Sequence, residues 1–297
     1  MKYYEVEFTL SPYSTDGCDL LAALAGEAGF ETFETTANGM KGYVQQQLFD
    51  REQLDTIIQD FPMPGITVSY TIEEAEDRDW NEQWEQEGFE PIVVRGDSKL
   101  GDSPSSLVIH DGRHMPTEEF DIQIEIDAHL AFGTGTHETT RMVCATLLSL
   151  SDSQPSGLGL QGWRVLDCGC GTGILGIAAM KLGAKECVSY DIDEWSVDNT
   201  RHNAVINQVE LTPLHGDASI LNKVEGTFHL VMANINRNIL LHDLPQFGSK
   251  MEAGARLILS GFYTDDIPLL TEKAAESGLS LSTQKEDNGW ACIVLEK

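Results

Sequence analysis

Three glycines at 169, 171 and 173 interrupt the run Val165-Leu166-Asp167-Cys168-Gly169-Cys170-Gly171-Thr172-Gly173-Ile174-Leu175. Before them, Trp163 to Leu166 reads as a short buried strand, and from Ile174 onward the pattern is helical. Without Cβ atoms the chain can turn sharply there and lie flat against a ligand at the carboxyl end of a strand. The chemistry on offer is the binding of a nucleotide-like molecule. A dinucleotide site requires Gly-x-Gly-x-x-Gly, with pyrophosphate on the helix N-terminus. Here position 174 is Ile and the third glycine comes one residue early, so the dinucleotide reading weakens. A second apolar strand, Glu186 to Tyr190, ends at Asp191, with Asp193 two residues on. That places the Asp191 carboxylate where ribose hydroxyls can donate to it.

An acid before the loop (Asp167), glycines 169, 171 and 173, and an acid about 20 residues later is similar to the S-adenosylmethionine pattern of Rossmann-like methyltransferases. The bland reading of the glycines alone is a tight strand-helix connection. A third strand, Glu210 to Leu214, leads to His215-Gly216-Asp217, and by fold-level analogy Asp217 borders the adenine. Phe228 to Ala233 is an apolar fourth strand that ends in Asn234-Ile235-Asn236. Amino-group methyltransferases often carry Asn or Asp there, followed by two prolines and an aromatic. This chain has the Asn without the others, a departure that disfavours a flat nucleobase and leaves an aliphatic amine acceptable. The competing role for Asn234 is to satisfy a loop or a cofactor group.

Upstream, Phe120 to Asp127 alternates like a strand and leads into Ala131-Phe132-Gly133-Thr134-Gly135-Thr136-His137-Glu138-Thr139-Thr140, before a helix from Arg141 to Leu150. This segment, taken with 166 to 175, resembles the ribosomal protein L11 methyltransferase family (PrmA), and the resemblance covers nearly the whole chain. It implies that Thr140, Gly169, Asp191 and Asn234 contact S-adenosylmethionine, and that Phe132, Gly133 and Thr134 belong to a segment folding over it up to His137. It further implies methylation of lysine ε-amines and the N-terminal α-amine of the L11 protein. The expected site is therefore Asn234 as the catalytic group, with Phe132, Gly133, Thr134, Thr140, Asp167, Gly169, Gly171, Gly173, Asp191, Asp217 and Asn234 around the cofactor.

The chain has 48 acidic against 19 basic residues, a net charge of −29. Such a field repels phosphate backbones and draws in basic partners. Nucleic acid is disfavoured as a direct substrate, though an acidic surface also serves solubility alone. No apolar run approaches the roughly 18 residues of a membrane span, and the N-terminus lacks the apolar core of a secretory signal. A cytosolic monomer with no membrane partner is expected. Its six cysteines are scattered, so no disulfide framework is expected, and Cys168-x-Cys170 lacks companions at zinc spacing.

Residues 1 to 75 read as β-α-β-β-α-β, the split motif of ferredoxin-like domains. RNA-recognition domains share that order, yet this stretch holds three basic against thirteen acidic residues, the wrong sign for RNA. A substrate-recognition domain for a basic protein is the expectation. Residues 76 to 90 carry Trp80 and Trp84 at i, i+4 and read as a linker helix. The catalytic domain then spans 91 to 297, a Rossmann-like α/β sheet closed by an antiparallel hairpin about Asn288-Gly289. The rival functions are a nucleic-acid methyltransferase, a non-catalytic S-adenosylmethionine-binding regulator and a nicotinamide dehydrogenase.

Overall fold

The computed structural model describes residues 3–46, 48–59, 61–74, 88–97, 105–127, 135–154 and 159–297. It divides into two compact units, Met1–Glu82 and Gln83–Lys297. In the first, β1 (Tyr3–Ser11), β2 (Phe30–Thr36), β3 (Gly39–Gln45) and β4 (Thr67–Glu74) form one antiparallel sheet in the order β2-β3-β1-β4. Helices α1 (Thr15–Ala25) and α2 (Arg51–Gln59) supply the other layer. Alternation along β1 puts Val6, Phe8 and Leu10 on one face, where they are buried with Leu21 and Leu54 of the helices. Ser14 starts α1 by accepting the Gly17 N–H at 3.1 Å, an N-cap that satisfies an otherwise unpaired donor.

The second unit holds two sheets. A small one joins β5 (Ile92–Arg95), β6 (Ser106–His110) and β7 (Ile122–Glu125). The main sheet has seven strands: β8 (Arg164–Cys168), β9 (Glu186–Asp191), β10 (Thr212–His215), β11 (Phe228–Asn234), β12 (Met251–Tyr263), β13 (Ser280–Asp287) and β14 (Trp290–Glu296). Their order is β10-β9-β8-β11-β12-β14-β13. Strands β10, β9, β8, β11 and β12 are mutually parallel, and β14 runs antiparallel to both β12 and β13. The β13–β14 connection turns at Asn288 (φ 52°) and Gly289 (φ 81°), the left-handed pair that a two-residue hairpin requires.

The helices are α3 (Glu138–Asp152), α4 (Ile174–Lys181), α5 (Glu194–Ile206), α6 (Arg237–Lys250) and α7 (Ile267–Ala275). One face of the main sheet packs with α3 and α4 and the other with α6 and α7. Buried on both faces, the central strands are near-continuous apolar runs, as Leu230 to Ala233 illustrates. From β8 the chain winds outward through β9 to β10 and then returns to β11 on the other side of β8. That reversal is a topological switch point, where open α/β sheets bind ligands at the strands' carboxyl ends.

Two expectations change. Helix α6 has no counterpart in the sequence reading, because Pro245 sits in its interior and Gly248 near its end. Burial overrides propensity: Leu240, Leu244 and Phe247 on one stripe are fully buried, at about 1.5–3 kcal/mol each. Residues 76 to 87 of the expected linker helix, with Trp80 and Trp84, lie outside the described residues. Gly88 to Glu90 are not helical. Gly88 has φ +69°, and the Phe89 N–H is held at 3.1 Å by the Asp111 carboxylate.

Candidate active site at the switch point

The glycine loop leaves β8 and enters α4 through left-handed backbone at Gly169 (φ 72°) and Gly173 (φ 82°). A Cβ on Gly169 would stand 2.4 Å from the Ile235 side chain, so no other residue fits without displacing the β11–α6 connection. The Gly169 and Cys170 N–H groups donate to the Tyr190 carbonyl at 2.9 and 3.1 Å. Asp191 at the end of β9 accepts the Gly171 N–H at 3.0 Å and the Asp193 N–H at 3.1 Å. Its carboxylate thus fastens the loop to the neighbouring strand end.

A cavity of about 950 Å³ opens over these strand ends, within the usual size of a small-molecule site. Of the expected residues, Gly169, Gly171, Asp191, Asp217 and Asn234 line it. Asp167, Gly173 and Thr140 do not. Asp167 is fully buried beneath the loop and accepts the Gly176 N–H at 3.0 Å. Burial, then the charge of Asp191, lifts its carboxyl to about 7. Gly173 is the first turn of α4 and backs onto Thr200. Thr140 is buried in α3 and its hydroxyl accepts from the Asn234 Nδ2 at 3.4 Å. Phe132, Gly133 and Thr134 lie outside the described residues.

Asn234 is the end of β11, and its Oδ1 is buried with no hydrogen-bond partner among the described residues. An amide oxygen so placed is costly unless a donor meets it, so the cavity presents an acceptor at this point. Across from it the wall is aromatic. Trp290, the first residue of β14, stacks on Tyr263 at 4.2 Å and meets His137 edge-on at 4.8 Å. His137 caps α3 by accepting the Thr139 N–H at 3.3 Å. Sequence reasoning missed Trp290 and the α6 residues Ile239, His242, Asp243 and Gln246, all of which line the cavity. Their helical spacing was visible, but nothing local announced that a cavity faced them.

The cavity wall carries Asp191, Asp193, Asp217 and Asp243 and neither lysine nor arginine. Such a wall favours a cationic ligand and opposes a pyrophosphate. Asp217 caps the turn Ala218–Lys223, and the Ser219 hydrogen bonds hold its carboxyl below the usual range. The thiols beside the loop are not nucleophiles: burial pushes Cys170 up to about 12.

The chain matches the family model described as ribosomal protein L11 methyltransferase (PrmA) over residues 24–297. A protein of that name from Bacteroides fragilis is 44% identical over 294 residues, covering 99% of each chain. Its namesake in Phocaeicola vulgatus is 42% identical, covering 99% of this chain and 98% of the other. A crystal structure of a ribosomal protein L11 methylase from Lactobacillus delbrueckii subsp. bulgaricus superposes with a TM-score of 0.55 at 29% identity, over 64% of this chain and 93% of that one. An α/β methyltransferase sheet whose match runs through both the glycine loop and the β11 asparagine thus has its kin in one place: the chain belongs to the ribosomal protein L11 methyltransferase (PrmA) family.

Proposed function

We propose that this protein transfers methyl groups from S-adenosylmethionine to amines of ribosomal protein L11, namely lysine ε-amines and the N-terminal α-amine. The observation that carries the reading is the buried, unpartnered Asn234 Oδ1 on the wall of the switch-point cavity, next to the glycine loop. An acceptor of this kind suits an N–H donor and gives nothing to a carboxylate or phosphate.

The residues present fit the cofactor. Four carboxylates without a basic neighbour suit its positive charge. Gly169 and Gly171 leave room for its close approach, and Asp191 stands where ribose hydroxyls are read. Asp217 borders the base. Asp167, Gly173 and Thr140 act from behind the wall, as positioning residues for the loop and for Asn234. Phe132, Gly133 and Thr134 are retained as cofactor contacts on the family resemblance alone. S-adenosylmethionine, when bound, supplies an electrophilic methyl on a sulfonium.

The protein's own task is alignment, which supplies most of the rate in a displacement of this kind. Asn234 Oδ1 accepts an N–H of the incoming amine and aims its lone pair. The amine must arrive deprotonated, against a reference lysine value of about 10.4. Solvent takes that proton before the amine is buried, since burial favours the neutral form. The cation-seeking wall also attracts a basic protein and repels RNA.

The first unit is proposed as a ferredoxin-like substrate-recognition domain over residues 1–75, supported by its strand order β2-β3-β1-β4 and its acidity. A linker over 76–90 then lets it present different amines of a cytoplasmic substrate to one site, with the enzyme acting as a monomer. Incubation with labelled S-adenosylmethionine and purified L11 should give acid-stable label in the protein. Label in RNA, or none despite tight cofactor binding, would overturn the assignment. Asn234→Ala should cut turnover on the order of 100-fold while cofactor affinity changes far less. Equal losses in both would make Asn234 a cofactor residue only.

A further inference from the structure

One wall of the cavity has no part in the chemistry above. Ile239, His242, Asp243 and Gln246 recur at i, i+3, i+4 and i+7 along α6, so they form one helix face, and all four line the cavity. Asp243 is the single acid of this helix and is only 8% exposed. The Nδ1 of His242 lies 2.6 Å from its Oδ1, which fixes one carboxylate oxygen.

The other wall carboxylates are committed to the backbone. Asp191 holds the N–H groups of Gly171 and Asp193, Asp193 that of Trp195, and Asp217 that of Ser219. Asp243 holds no backbone N–H among the described residues. A buried carboxylate of this sort is costly unless something donates to it.

A second unpaired group stands close by. The Tyr190 hydroxyl is buried beside the Cys168 thiol, without a hydrogen-bond partner at normal distance among the described residues. The charges of Asp243 and Asp217 both bear on that phenol and help to hold its proton in place. Asp243, Asp217 and Tyr190 therefore converge on the end of the cavity that lies under β9 and β10, two strands away from Asn234 across β8.

We propose that Asp243 reads the exocyclic amine of the purine in the adenosyl ligand. Its free Oδ2 accepts an N–H of a 6-amino group there. A 6-oxo purine would set a carbonyl oxygen against the carboxylate and be rejected, so the discrimination comes partly from repulsion. The inference rests on the reading that the cavity takes S-adenosylmethionine, and it adds the residue that selects its base.

Calorimetric titration of the full chain with S-adenosylhomocysteine and with its 6-oxo analogue, S-inosylhomocysteine, tests it. The wild type should prefer the amino ligand by roughly 10- to 100-fold, the range of one charge-assisted hydrogen bond. Asp243→Asn keeps the shape and offers an amide N–H to the oxo group, so the preference should fall to near unity or reverse. Asp217→Asn should leave the ratio as it was.

Equal weakening of both ligands by Asp243→Asn would make Asp243 a structural residue and overturn the inference. So would a ratio that moves with Asp217→Asn instead, or equal binding of the two ligands by the wild type. If Asp243→Asn does not fold, Asp243→Ser, which removes the carboxylate, must still narrow the ratio. A wild type that binds neither ligand defeats the cofactor reading itself, an outcome distinct from binding both without preference.

Discussion

The two walls of the cavity reach the same end by opposite means. On the glycine-loop side, β8 and β9 place backbone against the ligand. Gly169, Cys170 and Gly171 have their N–H groups fixed by Tyr190 and Asp191, and side chains are nearly absent. On the α6 side a helix places side chains against it, and the helix itself is an unpromising one, with Pro245 inside. The first wall is specified by what its residues lack. The second is held by packing behind it, so its position depends on the core and hardly on its own sequence.

If that contrast is right, α6 should fail from behind. Phe247 is fully buried on the face away from the cavity, and Phe247→Ala should cost about 3–5 kcal/mol. Ile239→Ala on the cavity face, where Ile239 is 40% exposed, should cost far less. Urea unfolding of the two variants makes the comparison. Similar losses would mean that the cavity face also holds the helix in place.

The loop side has its own stability signature, carried by Asp167. Its folded value near 7 lies above the usual carboxyl value near 3.9. Between those values the folded chain keeps a proton that the unfolded chain has released. Stability therefore falls as pH rises from about 4 to about 7, and the loss is absent below about 4. Asp167→Asn removes the titration. Relative to that variant the wild type should lose stability over this window, by at most about 4 kcal/mol at the upper end. Parallel urea midpoints from pH 4 to 7.5 report it. A constant gap between the two proteins would show that Asp167 is ionised throughout.

A smaller effect is expected at Gly169. An alanine there must hold φ near +72°, at about 1–2 kcal/mol, and must push Ile235 aside. S-adenosylmethionine should bind roughly 10-fold more weakly, in line with 1.4 kcal/mol per decade. Adding Ile235→Ala should recover the part due to contact and leave the part due to backbone strain. Unchanged binding by the single variant would mean that close approach at this glycine is unnecessary.

This contrast also explains what could be read from residues alone. Requirements imposed on the backbone leave a local trace, which is why Gly169, Gly171 and Asp191 were legible and do stand on the cavity wall. Asn234 was legible as a polar residue ending an apolar strand, although its partner Thr140 is 94 positions away. Trp290 was not, because it reaches the site only through the pairing of β14 with β12. Nor was α6, since the burial that stabilises it is created by strands on either side of it in the chain. Asp167 and Gly173 were found as site residues and proved to stand behind the wall. A motif marks which residues shape a loop without telling which of them face the ligand.

The smallest effect concerns Pro245. Its ring removes one N–H from the α6 ladder, so the Leu241 carbonyl has no helical donor, and an interior proline costs about 3 kcal/mol relative to alanine. Part of that cost is offset because proline also restricts the unfolded chain, by about 0.4–1 kcal/mol, and its ring fills space on the cavity side. Pro245→Ala should therefore stabilise the protein by about 1 kcal/mol, which corresponds to about 2–4 °C in Tm for a unit of this size. Straightening the helix would also shift Gln246, whose Nε2 donates to Asn222 at 3.0 Å across the cavity's far end. Cofactor affinity should thus weaken as Tm rises. If both rise together, the proline shapes nothing in the site, and the α6 wall is as tolerant of its backbone as the glycine loop is not.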